Sequence, residues 1–193
     1  MALPLLLVGG ALGAAILADQ REKRHALERQ RHSGVDPQQL NGKAVGLHPS
    51  LWQSGHKQVK PKPGAIICCF VYGVIEHTGI WLDDNTLIEL HGNGLIRAVS
   101  TARFLAGRTG TKIYVACNHA HQPLIDGEVL HRAEMEIFSY REYDLFDNNC
   151  HRFVWSCLSG VEESLPSFND FNKKLAQYFE QSIYWDEALI DIR

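Results

Sequence analysis

Eight consecutive apolar residues, Ala65-Ile66-Ile67-Cys68-Cys69-Phe70-Val71-Tyr72, interrupt an otherwise mixed sequence and are rich in β-branched and aromatic side chains. The run is too short and too uniformly apolar for an amphipathic helix, and Pro61-Lys62-Pro63-Gly64 places a turn directly ahead of it. It therefore predicts a central strand. A second strand follows over residues 77–82, Asp83-Asp84-Asn85 supplies a turn, and residues 86–91 return as the other arm of a hairpin. His91-Gly92-Asn93-Gly94 turns once more before a strand over residues 95–99, and Ser100 or Thr101 caps a short helix through Leu105. One more strand is expected over residues 112–116, and helical periodicity over residues 125–139 and 168–179. Strands in one block with helices around them give an α+β fold.

Composition narrows the partners. A length of 193 residues suits one domain with a real core, and a formal net charge of −3 leaves no basic footprint for nucleic acid. Five cysteines, an odd number without zinc-type pairing, favour a reducing compartment over a disulfide framework, and no metal or other cofactor is called for. Residues 1–18 carry no charged side chain and would span about 27 Å as a helix, close to the hydrocarbon thickness of a bilayer. Arg21, Lys23, Arg24, Arg29 and Arg31 follow at once, which by the positive-inside rule keeps the remainder in the cytoplasm. A cleaved signal with an exported domain is the rival, although no basic residue precedes the apolar run. The expected organisation is an N-terminal hydrophobic helix over residues 1–18 as membrane anchor, a charged stalk and linker over 19–60, and a folded domain over 61–193.

The chemistry gathers at Asp147-Asn148-Asn149-Cys150-His151-Arg152-Phe153, where turn formers give way to an apolar stretch that reads as a buried helix. A cysteine at that boundary sits against first-turn N–H groups and the positive end of the helix dipole, which favour the thiolate. The plainer alternative is a small buried apolar side chain. A nucleophilic thiol needs a base and a third polar group to orient that base. Of ten histidines, His25 and His32 fall in the stalk and His48 and His56 in the linker, while His151 is expected to point away from Cys150 if both lie on the helix. His77, at the start of a strand, is the candidate base. Alternation puts Leu87, Glu89 and His91 on one strand face, so either Glu89 or His91 could accept the Nδ1–H of His77. The plain alternatives are a solvent-facing Glu89 and a His91 that binds its own turn.

Lys62-Pro63-Gly64-Ala65-Ile66-Ile67, His77-Thr78-Gly79-Ile80-Trp81-Leu82, Leu87-Ile88-Glu89-Leu90 and Asn149-Cys150-His151-Arg152-Phe153 together resemble the circularly permuted papain-like superfamily. That superfamily includes the permuted NlpC/P60 proteins and the lecithin:retinol acyltransferase-like thiol enzymes. The resemblance covers roughly residues 61–160 and implies an antiparallel sheet packed against helices, with Cys150 as nucleophile and His77 as general base. Its third group falls twelve residues after the histidine, at Glu89, with His91 as second choice. The family's Asn-Cys-Glu-His-Phe reads Asn149-Cys150-His151-Arg152-Phe153 here, without the acidic residue. The implied function is membrane-anchored acyl transfer or lipid-ester hydrolysis through an acyl-thioester, with a lipid or acyl substrate. A cysteine peptidase or amidase on peptide-like or cell-wall amides, and a non-enzymatic binding module, are the alternatives.

Other features argue for less. Cys117-Asn118-His119-Ala120-His121, with His131 further on, lacks a fourth ligand at a recognised metal spacing. Gly92-Asn93-Gly94 is not followed by the Lys-Ser/Thr pair of a phosphate loop. Cys157 falls two turns beyond Cys150 on the same helix face, a core position, and Trp185 either packs back on the domain or contacts membrane.

Overall fold

The computed structural model describes residues 58–71, 75–108 and 110–190. The hydrophobic helix expected over 1–18, and the stalk and linker expected over 19–60 as far as residue 57, lie outside them. Among the described residues the chain is α+β. Its elements are β1 (Gln58–Val59), β2 (Ile66–Val71), β3 (Ile75–Asp83), β4 (Thr86–Leu90), β5 (Ile96–Ser100), α1 (Thr101–Leu105), β6 (Tyr114–Cys117), α2 (Val129–Met135), α3 (Cys150–Ser159), α4 (Phe168–Tyr178) and β7 (Tyr184–Ala188). The strands form one sheet in the order β1-β7-β6-β2-β3-β4-β5, antiparallel throughout except for the β1–β7 pair.

The uninterrupted apolar run becomes β2, near the middle of the sheet, and the reason is burial on both faces. Ile66 and Cys68 point into a core shared with α2, α3 and α4, whereas Ala65, Ile67 and Cys69 point into a second core with Phe104 of α1. A strand that faced water on one side would have needed alternating polarity. The β3–β4 connection is a tight turn in which Asp84 and Asn85 both take positive φ (26° and 66°), a conformation that Asp and Asn tolerate. Ser100 caps α1, its side chain accepting from the Arg103 N–H at 3.2 Å. Gly79 allows β3 and β4 to close beside the site: a Cβ there would sit 2.8 Å from the Ile88 carbonyl oxygen.

Two elements depart from expectation. The helical pattern over 125–139 yields only Val129–Met135, because the backbone after Met135 pairs with β5 instead. The Phe138 N–H donates to the Ile96 carbonyl at 2.9 Å, and the Ile96 N–H to the Ser139 carbonyl at 3.0 Å, with Phe138 at φ 72°. Cross-sheet hydrogen bonds there outcompete helix continuation. The strand β7 was not foreseen, since Tyr184-Trp185-Asp186-Glu187-Ala188 carries two carboxylates. It recruits Gln58–Val59, assigned to the linker above, as a parallel neighbour. Trp185 packs on the domain: it is buried, its Nε1–H donates to Asn172 Oδ1 at 2.8 Å, and its ring lies 5.2 Å from that of Phe168.

Helix α3 seats the site. Its buried face, Phe153, Val154, Trp155, Cys157 and Leu158, packs into the larger core, each large side chain contributing about 1.5–3 kcal/mol. Gly160 closes the helix in the left-handed conformation. A helix anchored along its length holds its first residue still.

Candidate active site

Asn149 sets the start of α3. Its Oδ1 accepts from the Arg152 N–H at 3.0 Å, while its Nδ2 donates to the carbonyls of Leu145 (3.0 Å) and Leu165 (2.8 Å). Asn149→Ala removes the cap and strands two carbonyls in a buried place, so we expect about 2–4 kcal/mol of destabilisation in urea unfolding. Substitution by Asp, which keeps only the cap acceptor, should recover about 1 kcal/mol of that.

Cys150, the first residue of α3, is 3% exposed. His77 reaches its thiol from β3, and the two side chains hydrogen-bond. The other ring nitrogen of His77, Nε2, lies 2.8 Å from Glu89 Oε2. Glu89 is a carboxylate and can only accept, so His77 donates through Nε2–H and turns Nδ1 to the sulfur. This reverses the nitrogen assigned from sequence, which had Nδ1–H facing the third group. The His77 ring also lies 5.2 Å from that of Phe104, on the face of the smaller core.

Glu89 is fully buried, which would ordinarily favour its protonated form. The His77 Nε2–H and three guanidinium N–H groups decide otherwise. Arg97 Nε and Nη2 donate to Oε1 at 3.0 and 2.8 Å, and Arg108 Nη2 donates to Oε2 at 2.9 Å beside His77. Burial pushes the carboxyl up, but the His77 hydrogen bond and charge, with Arg108 and Arg97, bring it down to about 2. A carboxylate held this firmly orients one imidazole.

The thiol follows the same logic. Burial pushes Cys150 up, yet the charges of His151 and His77 and hydrogen bonds from both lower it well below the ordinary thiol range. Burial pulls His77 down, but the charge and hydrogen bond of Cys150 and the bond to Glu89 raise it overall. The two shifts favour one state, thiolate beside imidazolium. Neighbouring Cys69 shows the contrast, since burial pushes its thiol up to about 12. Tyr143 hydrogen-bonds the Cys150 sulfur, and burial with that anion raises its hydroxyl, which therefore stays a donor.

The structure thus brings Cys150, His77 and Glu89 together, and leaves His91 apart. His91 Nδ1 lies 2.8 Å from Asn93 Oδ1 and accepts from the Asn93 N–H at 3.3 Å, within its own turn. His151 corrects the sequence expectation: it does not point away, and its Nδ1 is 3.8 Å from Cys150 Sγ. Successive helical residues are about 100° apart rather than opposed, so a ring nitrogen one bond from Cγ can stay beside a short neighbouring side chain. Arg97 and Arg108 were missed. Arg97 was legible, because the β4–β5 register sets it directly opposite Glu89; Arg108 comes from beyond α1 and carried no local signal.

Away from this cluster, His121 Nδ1 meets Asp186 Oδ2 at 2.9 Å, and Asp186 also hydrogen-bonds the Cys117 thiol. Among the described residues no group of three or more His, Cys, Asp or Glu side chains is placed to hold a metal ion, and no helix is long and apolar enough to cross a membrane. The chain finds no match among curated proteins. Residues 59–163, more than half of the chain and spanning every element from β2 to α3, match the family described as lecithin retinol acyltransferase. With Cys150, His77 and Glu89 all inside the matched span, the chain belongs to the lecithin retinol acyltransferase family.

Proposed function

We propose that the protein is a thiol acyltransferase or lipid-ester hydrolase working through an acyl-thioester on Cys150, with His77 as general acid and base and Glu89 as the carboxylate that orients it. The observation that carries this is the 2.8 Å bond from His77 to a fully buried Glu89, with the other side of the same imidazole on the helix-mouth thiol. The permuted papain-like arrangement and the family's acyl chemistry support the same assignment.

The thiolate attacks an ester carbonyl carbon, forming a C–S bond as the carbonyl electrons move to oxygen. The Cys150 N–H, which has no intrahelical acceptor, faces the developing oxyanion, while the Arg152 N–H is taken by the Asn149 cap. The Tyr143 hydroxyl is a second donor in reach of the sulfur. Collapse breaks the ester C–O bond, and the leaving oxygen takes the proton from His77. Neutral His77 then deprotonates an acceptor hydroxyl or water, which attacks the thioester and releases the Cys150 thiolate.

Acid quenching during turnover of a phospholipid ester, followed by intact mass measurement, tests the proposal. An acyl adduct on the Cys150 peptide that hydroxylamine releases is the expected result. Adducts formed from peptide amides and never from esters would move the assignment to an amidase, and no adduct from either would remove it.

Residues 1–18 serve in this proposal as the membrane anchor, with the catalytic domain over 61–193 on the cytoplasmic side. The supporting pattern is an uncharged run followed at once by Arg21, Lys23 and Arg24. A C-terminal reporter active only outside the cytoplasm should stay silent; activity would place the domain outside.

A further inference from the structure

We propose that His151 is a second catalytic imidazole on Cys150: its Nδ1–H, shared between the sulfur and Thr78 Oγ1, stabilises the thiolate when it attacks and again when it leaves. This rests on Cys150 being the nucleophile. It does not follow from the family pattern, in which the residue after the cysteine is acidic.

The ring has little freedom. His151 is 6% exposed, stacks on Phe171 at 5.4 Å and 15°, and meets Phe168 at 5.7 Å and 49°. Both phenylalanines belong to α4, so that helix aims the imidazole at β3. Its Nδ1 then has two neighbours, Thr78 Oγ1 at 3.1 Å and Cys150 Sγ at 3.8 Å. Thr78 and His77 are consecutive on β3, so their side chains leave opposite sides of the strand. The sulfur is approached by His77 from the side of Phe104 and by His151 from the side of α4.

A plain structural role would have His151 satisfied by Thr78 alone, since that contact is the shorter. Sulfur is the larger acceptor, however, and as an anion it attracts an N–H more strongly than a neutral hydroxyl does. The pair of acceptors fits the reaction sequence. While Cys150 is a thiolate, Nδ1–H turns to sulfur; once the sulfur is acylated and neutral, the same N–H rests on Thr78 Oγ1. When the thioester collapses, the N–H is already in place to receive the leaving thiolate. No proton leaves His151 in either step, so His77 alone carries the transferred proton.

Other titratable groups face the sulfur from the neighbouring elements: His77 on β3, Cys69 on β2 and Tyr143 ahead of α3, with Glu89 of β4 and its partner Arg108 behind His77. Cys69 and Tyr143 are shifted upward and Glu89 is held at about 2, so none of these three changes charge around neutrality. A change in the thiol profile on altering His151 therefore reports on His151 itself.

The test is the pH dependence of iodoacetamide alkylation at Cys150, read by peptide mass, in full-length wild type and in His151→Phe, His151→Gln and His151→Asn. Phe keeps the ring against Phe171 without a donor, and Gln extends its amide past the Nδ1 position. Both should move the alkylation midpoint up by about one pH unit, slowing alkylation about tenfold at pH values well below the wild-type midpoint. Asn puts an amide N–H where Nδ1 stands and should remain within about threefold of wild type. Phe or Gln variants that follow the wild-type curve, or an Asn variant as slow as Phe, overturn the proposal while leaving Cys150 as nucleophile. A wild-type Cys150 that titrates like an ordinary thiol, at about 8.5, removes the nucleophile assignment and this inference with it.

Discussion

Cys150→Ser should lower the proposed acyl transfer by about 10⁴-fold or more and abolish the expected hydroxylamine-sensitive adduct, because a hydroxyl at this site is not ionised by the same neighbours. The substitution changes one atom in a buried place, and the serine oxygen can still accept from His77 or His151. Melting temperature should therefore shift by no more than about 4 °C, the equivalent of roughly 1 kcal/mol in a domain of this size. Activity and stability separate in this variant. Turnover with an ester substrate and a thermal melt on the same preparation check both; residual activity above about one per cent would mean that another group attacks.

The second large effect lies at Glu89, where stability and activity fall together. Glu89→Gln keeps the shape but leaves His77, Arg97 and Arg108 around a neutral amide inside the protein. Breaking a buried ionic network in this way costs about 3–5 kcal/mol, which in urea unfolding at pH 7 should be unmistakable. Turnover should drop by about 10²–10⁴-fold, since an amide can present N–H to His77 and select the wrong tautomer. His91→Ala is the control, because His91 bonds only within its own turn, and it should stay within about 0.5 kcal/mol and twofold in rate.

The pH dependence of wild type gives an independent check on Glu89. Its carboxyl is held at about 2, below the ordinary glutamate value near 4.3, so its contribution is complete above that ordinary value and is lost as the pH falls toward 2. A shift of this size corresponds to about 3 kcal/mol, and Glu89→Gln should lack that part of the acid-induced loss. His77 has the opposite sign. Its raised value means that its charged form contributes below the ordinary histidine range, and this contribution disappears as the pH rises through the folded value. Unfolding midpoints at pH 3, 5 and 7 should converge for wild type and Glu89→Gln at the acid end.

Features that act between near neighbours were readable from the residues. The apolar run that becomes β2, the Asp84-Asn85 turn and the Ser100 cap each depend on a few adjacent side chains, and each forms where expected. The exception among local features, the overlong helix after residue 125, failed because strand β5 takes the hydrogen bonds that its last turn would have needed. The strand β7 was hidden for a related reason: a carboxylate-bearing segment becomes a strand only when β6 and β1 are there to pair with it.

The opening cysteine of α3 and the histidine of the hairpin were likewise legible from the turn-to-helix boundary and the strand pattern, and the family resemblance put the third group at Glu89. What surrounds them was not. Alternation could not choose between Glu89 and His91, whereas the folded sheet turns Glu89 to His77 and two guanidinium groups and leaves His91 to Asn93. His151 and Thr78 are 73 residues apart, and Arg108 and Glu89 19 apart, so only packing of α3 on β3 and closure of α1 over the sheet bring each pair together. The sequence by itself determined which side chains could do thiol chemistry, because that depends on residue type and local backbone. The tertiary structure decided their charge states and partners, because burial and Coulomb interactions act through space between groups that the chain keeps far apart.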